Sequence, residues 1–237
     1  MDIFSITAQG IIDRILQNVR EIVIGLLIAL GIMGGIASYR YYRYSTEVSA
    51  QKALVEALRY FNANVGDKPS DVPDAISFTT EGEKWEKVVS FLQSAVIQHA
   101  SAGIVPLFLV YLAEGFWQQG KKDEAIATII KALSSMPSPE LKSLYELKCV
   151  LMQLDHEKEA MHQEGISRLK VLASNDKSVA HEMALYELGN YYWCIKNFSE
   201  ARNYWAQLKL KYDVKENGQR SLWVERARSK LKLMEAK

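Results

Sequence analysis

Residues 106–139 read PLFLVYLAEGFWQQGKKDEAIATIIKALSSMPSP, and residues 182–215 read EMALYELGNYYWCIKNFSEARNYWAQLKLKYDVK. Both segments place bulky residues at positions four and seven, a small residue at eight, an aromatic residue at eleven and alanine at twenty. Small residues at eight and twenty allow two helices to approach closely, while the bulky residues fill the seams between helical pairs. The chain is therefore predicted to contain at least two similar helical hairpins.

This order of positions resembles the tetratricopeptide repeat, a 34-residue helix–turn–helix unit that stacks against its neighbours. The matching residues of the first unit are Leu109, Leu112, Ala113, Phe116, Ala125, Ala132 and Pro137. Those of the second are Leu185, Leu188, Gly189, Tyr192, Phe198, Ala201 and Trp205. The resemblance implies an all-α fold, a right-handed α-solenoid of about four helical hairpins closed by a capping helix.

Helical periodicity also continues outside the two clear units. A first hairpin is predicted in residues 46–100, where the polar stretch 66–82 carries prolines and glycines and breaks the pattern. A divergent middle hairpin is predicted at 141–154 and 157–172, with Ala160 at position twenty, and a capping helix at 221–236. The repeat domain is thus expected to span residues 46–237.

Residues 22–39, IVIGLLIALGIMGGIASY, contain no charged side chain and are predicted to form a transmembrane helix. About 20 apolar residues cross the roughly 30 Å hydrocarbon layer, so the segment is short, but aromatic and basic residues at its end settle at headgroup level. These membrane-interface anchors are Tyr39, Arg40, Tyr41, Tyr42, Arg43 and Tyr44. Residues 1–21 are predicted to be an amphipathic tail, because Ile11, Ile15 and Val19 recur at helical spacing.

Two other interpretations of the apolar segment stay open. Gly35-Ile36-Ala37 fits the small-x-small rule of a cleaved signal peptide, although 21 preceding residues are long for one. A buried core helix is the other, but four glycines would weaken it in water. Gly31 and Gly35 have the spacing of a weak helix-pairing motif in the membrane. The arginine count around the span leaves the membrane orientation undecided.

Charge and motifs argue against several classes of function. Residues 1–44 hold four of the 29 basic and three of the 28 acidic residues, so the remainder carries 25 of each. Such an even balance offers no phosphate-attracting surface, and nucleic acid is not expected as a partner. His156 and His162 are six residues apart, whereas a zinc helix needs a spacing of four. No catalytic residues, metal site or cofactor are predicted, and Cys149 and Cys194 are expected to be free thiols, although their pairing stays open.

Tetratricopeptide domains bind partners along a concave surface, which implies a candidate groove at positions two, five, nine, twelve and thirteen of each unit. In the first unit these are Leu107, Val110, Glu114, Trp117 and Gln118, and in the second Met183, Tyr186, Asn190, Trp193 and Cys194. Trp117 and Trp193 share position twelve and would suit an interface, but they would equally suit packing between hairpins. A clamp for a C-terminal carboxylate is not expected, because Tyr186 stands where a basic residue would be needed.

The span with its trailing SYRYYRYSTEVSAQKA and the segment SAGIVPLFLVYLAEGFWQQGKKDEAIATIIKAL resemble the YfgM-type tetratricopeptide family. That resemblance implies a protein of the bacterial inner membrane whose repeat domain faces the periplasm. It further implies work beside the Sec translocon with periplasmic chaperones on emerging polypeptides. An alternative is a structural scaffold of the cell envelope or division machinery that forms a homo-oligomer through Gly31 and Gly35.

Overall fold

The computed structural model describes residues 19–66, 76–213 and 221–235. Within these residues the chain forms nine helices and one short pair of strands, which confirms the prediction of a helical protein with a long apolar N-terminal helix. The elements are α1 (Val19–Phe61), β1 (Asn64–Val65), β2 (Ser77–Phe78), α2 (Glu81–Gln98), α3 (Val105–Gln118), α4 (Lys122–Ser134), α5 (Pro139–Leu154), α6 (Glu159–Ser174), α7 (His181–Cys194), α8 (Phe198–Tyr212) and α9 (Leu222–Glu235). Residues 1–18 of the predicted amphipathic tail lie outside the described part of the chain.

The first helix, α1, runs for 43 residues without interruption and joins the apolar segment to the repeat region. The sequence predicted an anchor ending at residue 39 and a domain beginning at residue 46, but the intervening residues are helical. They include no proline or glycine, and Thr46 Oγ1 donates a hydrogen bond to the carbonyl oxygen of Tyr42 across one helical turn (2.9 Å). The apolar segment and the domain are therefore connected by one continuous helix.

A short parallel bridge follows α1, with Asn64 opposite Ser77 and Val65 opposite Phe78. Side-chain hydrogen bonds cap the start of the next helix. Thr80 Oγ1 accepts a hydrogen bond from the amide of Glu83 (3.2 Å), and the Glu83 carboxylate accepts one from the amide of Thr79 (3.0 Å). These two bonds fix the start of α2 at residue 81.

The turns of the two clear units have the same backbone geometry. Position fifteen has positive φ in both, at Gly120 (φ 75°) and Lys196 (φ 62°). The amide at position sixteen donates to the carbonyl at position eleven in each unit: Lys121 to Phe116 at 2.9 Å and Asn197 to Tyr192 at 2.8 Å. This bond and the left-handed residue are the features of a Schellman-type helix end.

Packing follows the order of the chain. Each helix from α1 to α8 packs against the next, α9 packs against α8, and α9 also contacts α7. Four clusters of buried side chains follow one another, the first centred on Leu92 and Phe108, the next on Ile129 and Cys149. The last two centre on Leu169 and on Trp205. The core is thus a series of local clusters.

Small residues allow the closest helix crossings. In the second clear unit, Gly189 lies against the fully buried Trp205, so closely that a Cβ would overlap the indole ring. In the middle hairpin the sequence placed Ala160 at this kind of contact, and that placement is wrong because Ala160 is exposed. Gly165 takes the role, with its Cβ position 3.0 Å from Cβ of Gln153. The middle crossing therefore lies five residues later than predicted.

Candidate membrane anchor and partner-binding surfaces

The apolar half of α1 is exposed throughout. The helix is long and apolar enough to cross a membrane, with a mean hydropathy of 1.7 in its most apolar window and no buried residue there. The alternative of a buried core helix is therefore wrong. A Cβ at Gly31 or Gly35 would meet no atom within 4 Å, so this face of α1 is open.

The six predicted interface anchors are all exposed on α1, directly after the apolar segment. Six consecutive residues make more than one and a half helical turns, so the tyrosines and arginines surround the helix over about 9 Å of its length. Such a ring suits the headgroup layer of a bilayer.

The helix is attached to the base of the domain just beyond this ring. Arg43 Nη1 donates to the carbonyl oxygen of Ser101 (3.2 Å), and Glu47 Oε2 accepts from the amide of Gly103 (2.8 Å). The carbonyl of Ser101 and the amide of Gly103 both belong to the loop between α2 and α3. We call these two hydrogen bonds the juxtamembrane clamp; they hold that loop beside the segment that leaves the apolar region.

The predicted groove residues of the first unit have different environments. Val110 is 2% exposed, so it belongs to the core and cannot contact a partner. Leu107 is half-buried against the same cluster. Glu114 pairs with Lys148 of α5 (2.7 Å) and accepts a hydrogen bond from Gln118 (2.7 Å). Partial burial favours a higher pKa at Glu114, but the hydrogen bonds from Lys148 and Gln118 outweigh it and lower that pKa.

The predicted groove residues of the second unit are also divided between buried and exposed positions. Tyr186 is 9% exposed and packs against Trp223 of α9, which removes it from a groove lining. Met183 is half-buried against the cluster of Leu169. Asn190 donates a hydrogen bond to Glu187 of the same helix (3.1 Å). Cys194 is an exposed free thiol.

The two tryptophans at position twelve both take part in packing and remain partly exposed. Trp117 lies against the cluster of Ile129, with Lys122 Nζ 5.2 Å from its ring centroid. Trp193 packs edge-on against Phe198, at 5.0 Å between centroids, and Lys230 Nζ lies 5.8 Å from the Trp193 ring. The structure thus shows that both tryptophans pack against neighbouring helices and that part of each ring stays accessible to a partner.

A crevice between α8 and α9 was not predicted from the sequence. It consists of two adjoining cavities of about 470 and 530 Å³ that share Arg202 as a wall residue. The first is lined by Trp193, Phe198, Ser199, Arg202 and Met234, and the second by Arg202, Ala206, Lys209, Leu210, Asp213 and Leu231. In the sequence, the signal for this crevice is limited to apolar residues at 198, 206 and 210, next to the buried face of α8. These residues line a groove only because α9 packs beside them.

The histidines and cysteines do not belong to any group of side chains that could hold a metal ion in the part of the chain that the structure describes. His156 Nδ1 accepts from the Lys158 amide, and His156 Nε2 lies 3.3 Å from Asp123, linking the α3–α4 and α5–α6 turns. Burial raises the pKa of the Cys149 thiol to about 11, so this cysteine is an unreactive core residue. His162 packs its ring against Tyr191.

No family model, curated protein or solved structure matches the chain.

Proposed function

We propose that this chain is a membrane-tethered protein-interaction module whose repeat domain is a tetratricopeptide-like α-solenoid. The observation that carries the proposal is α1, which continues without a break from an exposed apolar segment into the core of a helical domain. A soluble protein would not expose so many contiguous apolar side chains. Retention of the segment is favoured because the 21 residues before it are long for the start of a cleaved signal peptide.

The repeat architecture supports the interaction part of the proposal. Similar turn geometry at Gly120 and Lys196, and core clusters that follow one another along the chain, are typical of stacked repeats. The Glu114–Lys148 ion pair joins the first helices of two successive hairpins, as expected where such helices line one surface. Repeat stacks of this kind present extended binding surfaces.

The tether would act by raising local concentration. Only about 9 Å of helix separates Tyr44, the last aromatic anchor, from Ala50, the first buried residue of the domain. The juxtamembrane clamp then keeps the base of the domain close to the headgroups. A partner that works at the same membrane would meet the domain at a high effective concentration without any chemistry by this chain.

The resemblance to the YfgM-type family gives the proposal its biological setting. We infer a place in the bacterial inner membrane, with the repeat domain in the periplasm, beside the Sec translocon and periplasmic chaperones. The bound partner would be a protein or an emerging unfolded polypeptide. A scaffold that self-associates is the alternative, and the open face of α1 at Gly31 and Gly35 favours it specifically.

Two measurements test the tether. The full chain should resist extraction at alkaline pH, and its domain should be degraded by protease only after the outer membrane is opened. Release by the alkaline wash would exclude a retained anchor, whereas protection from protease in spheroplasts would exclude a periplasmic domain.

Site-specific photo-crosslinking tests the partner. A photoreactive residue at Gln118, an exposed member of the predicted groove, should capture translocon subunits, chaperones or nascent chains. The matched control is Lys131, an exposed residue of α4 outside that groove. Equal products from both positions would argue against a binding groove, and crosslinks only to further copies of the chain would favour the scaffold.

A further inference from the structure

We propose that the crevice between α8 and α9 binds an amphipathic α-helix of a partner protein, with acidic residues flanking the apolar face of that helix. This inference rests on the proposed interaction function and names the partner chemistry for one surface. The crevice lies at the opposite end of the series of packed helices from the anchor.

The shape of the crevice suits a helix of about three turns. Phe198, Arg202, Ala206 and Leu210 recur every four residues and form one wall along α8. These positions span about 18 Å of helix axis. Leu231 and Met234 of α9 belong to the opposite wall, where Met234 lines one cavity and Leu231 the other.

No other described residue covers the apolar side chains that line the crevice. Leu210 is 89% exposed and Phe198 is 47% exposed, and each lines one of the two cavities of the crevice. Exposed apolar side chains along a concave seam are typical of a surface that binds another molecule.

A helix fits these walls better than an extended peptide does. The backbone N–H and C=O groups of α8 and α9 are already bonded within those helices, so the crevice has no strand edge to offer. An extended peptide would leave its own backbone groups unpaired over apolar side chains. A helix satisfies its backbone internally and presents only side chains.

Charge selects an acidic partner. Arg202 and Lys209 are exposed and have no ion-pair partner among the described residues, and Lys230 stands at one end of the crevice beside Trp193. The lining carboxylate, Asp213, is bonded to Arg228 and is neutralised. Glutamate or aspartate beside the apolar stripe of a bound helix would therefore find complementary charges, and lysine would be repelled.

The test uses the full chain in detergent and labelled helical peptides of about 14 residues. One peptide carries leucine at i, i+3, i+4 and i+7 with glutamate on the flanks, and a second carries lysine in place of glutamate. Fluorescence anisotropy should show the acidic peptide binding about tenfold more tightly or better. Ala206→Arg should fill the crevice and abolish binding, while the matched control Ala127→Arg, exposed on α4, should leave the affinity unchanged.

A charge exchange makes the test specific for this surface. Arg202→Glu should weaken the acidic peptide about tenfold and strengthen the basic one, whereas Lys131→Glu on α4 should change neither. Equal binding to Ala206→Arg and Ala127→Arg, or no dependence on peptide charge, would overturn the proposal. So would a dimer of the unliganded chain that Ala206→Arg dissociates, because the occupant would then be a second copy. Partner-specific crosslinks at Gln118 without peptide binding at the crevice would leave the proposed function intact and remove only this inference.

Discussion

Arg43 Nη1 lies 3.2 Å from the carbonyl oxygen of Ser101, a residue 58 positions further along the chain. This hydrogen bond and the one that Glu47 accepts from the amide of Gly103 join α1 to the loop before α3, at the point where the apolar segment ends. Two side-chain hydrogen bonds therefore hold the α2–α3 loop against α1, directly after its apolar segment.

Removal of the clamp carboxylate should loosen this loop. In Glu47→Ala the Gly103 amide loses its partner, and we expect a cost of about 1 kcal/mol with faster hydrogen exchange at Gly103. The control is Glu56→Ala on the same helix, since Glu56 pairs with Arg59 and interacts with Tyr60, both about one turn away on α1. Comparable exchange at Gly103 in both variants would show that the clamp does not hold the loop.

The Gly189–Trp205 contact should tolerate no additional atom. A Cβ at residue 189 would overlap the indole ring of Trp205, which is fully buried and donates to the Tyr186 carbonyl oxygen (3.2 Å). We expect Gly189→Ala to lower the free energy of unfolding by about 3 kcal/mol, measured by chemical denaturation. Gly82→Ala is the control, because its nearest neighbour would be 3.7 Å away. Equal stability of the two variants would mean that the crossing can open without cost.

The sequence predicted a close approach of the two helices at Gly189, because a small residue at position eight and alanine at position twenty recur in both clear units. It assigned Trp205 to the seam between hairpins, whereas the indole lies against Gly189 within the hairpin. It could not predict the register of the middle hairpin, where Gln153 occupies the crossing and a glycine on the other helix compensates. The sequence signal for the position of this crossing was Gly165, a single glycine inside a helical pattern. The continuity of α1 was also missed, because tyrosine and arginine indicate the environment of a segment and not where its helix ends. The α8–α9 crevice depends on the position of a helix distant in sequence, which periodicity does not encode.

Gln153 should be replaceable by an apolar residue with a gain in stability. Its side chain is fully buried, and neither its Nε2 nor its Oε1 has a hydrogen-bond partner among the described residues. Methionine is also unbranched and of similar size, so Gln153→Met should fit beside Gly165 and raise the free energy of unfolding by about 1–2 kcal/mol. The exposed control Gln93→Met should change stability by less than about 0.5 kcal/mol. A loss of stability in Gln153→Met would indicate that the amide has a bonded partner in solution, such as a buried water.

Position fifteen of the two units offers a matched pair of opposite changes. Lys196 has a left-handed backbone (φ 62°), which costs a residue with a Cβ about 1 kcal/mol, whereas the equivalent Gly120 adopts it freely. Lys196→Gly should therefore stabilise the domain by about 1 kcal/mol, and Gly120→Ala should destabilise it by a similar amount. Thermal unfolding of both variants measures the two effects. Changes of the same sign would contradict the shared turn geometry.

His181 should make the stability of the C-terminal hairpin depend on pH. The residue is buried beside Tyr212, and burial first, then the nearby Lys211, lowers its pKa below the ordinary 6.5. Between pH 6.5 and the lower pKa of His181 in the folded state, the unfolded chain binds more protons than the folded chain. The contribution of His181 to stability is therefore complete above this pH range and falls as the pH decreases through it. Chemical denaturation from pH 7.5 to about 5 should show this loss. His181→Gln should be less stable at neutral pH but should flatten the profile over that range, whereas an unchanged slope would assign the pH dependence to other groups.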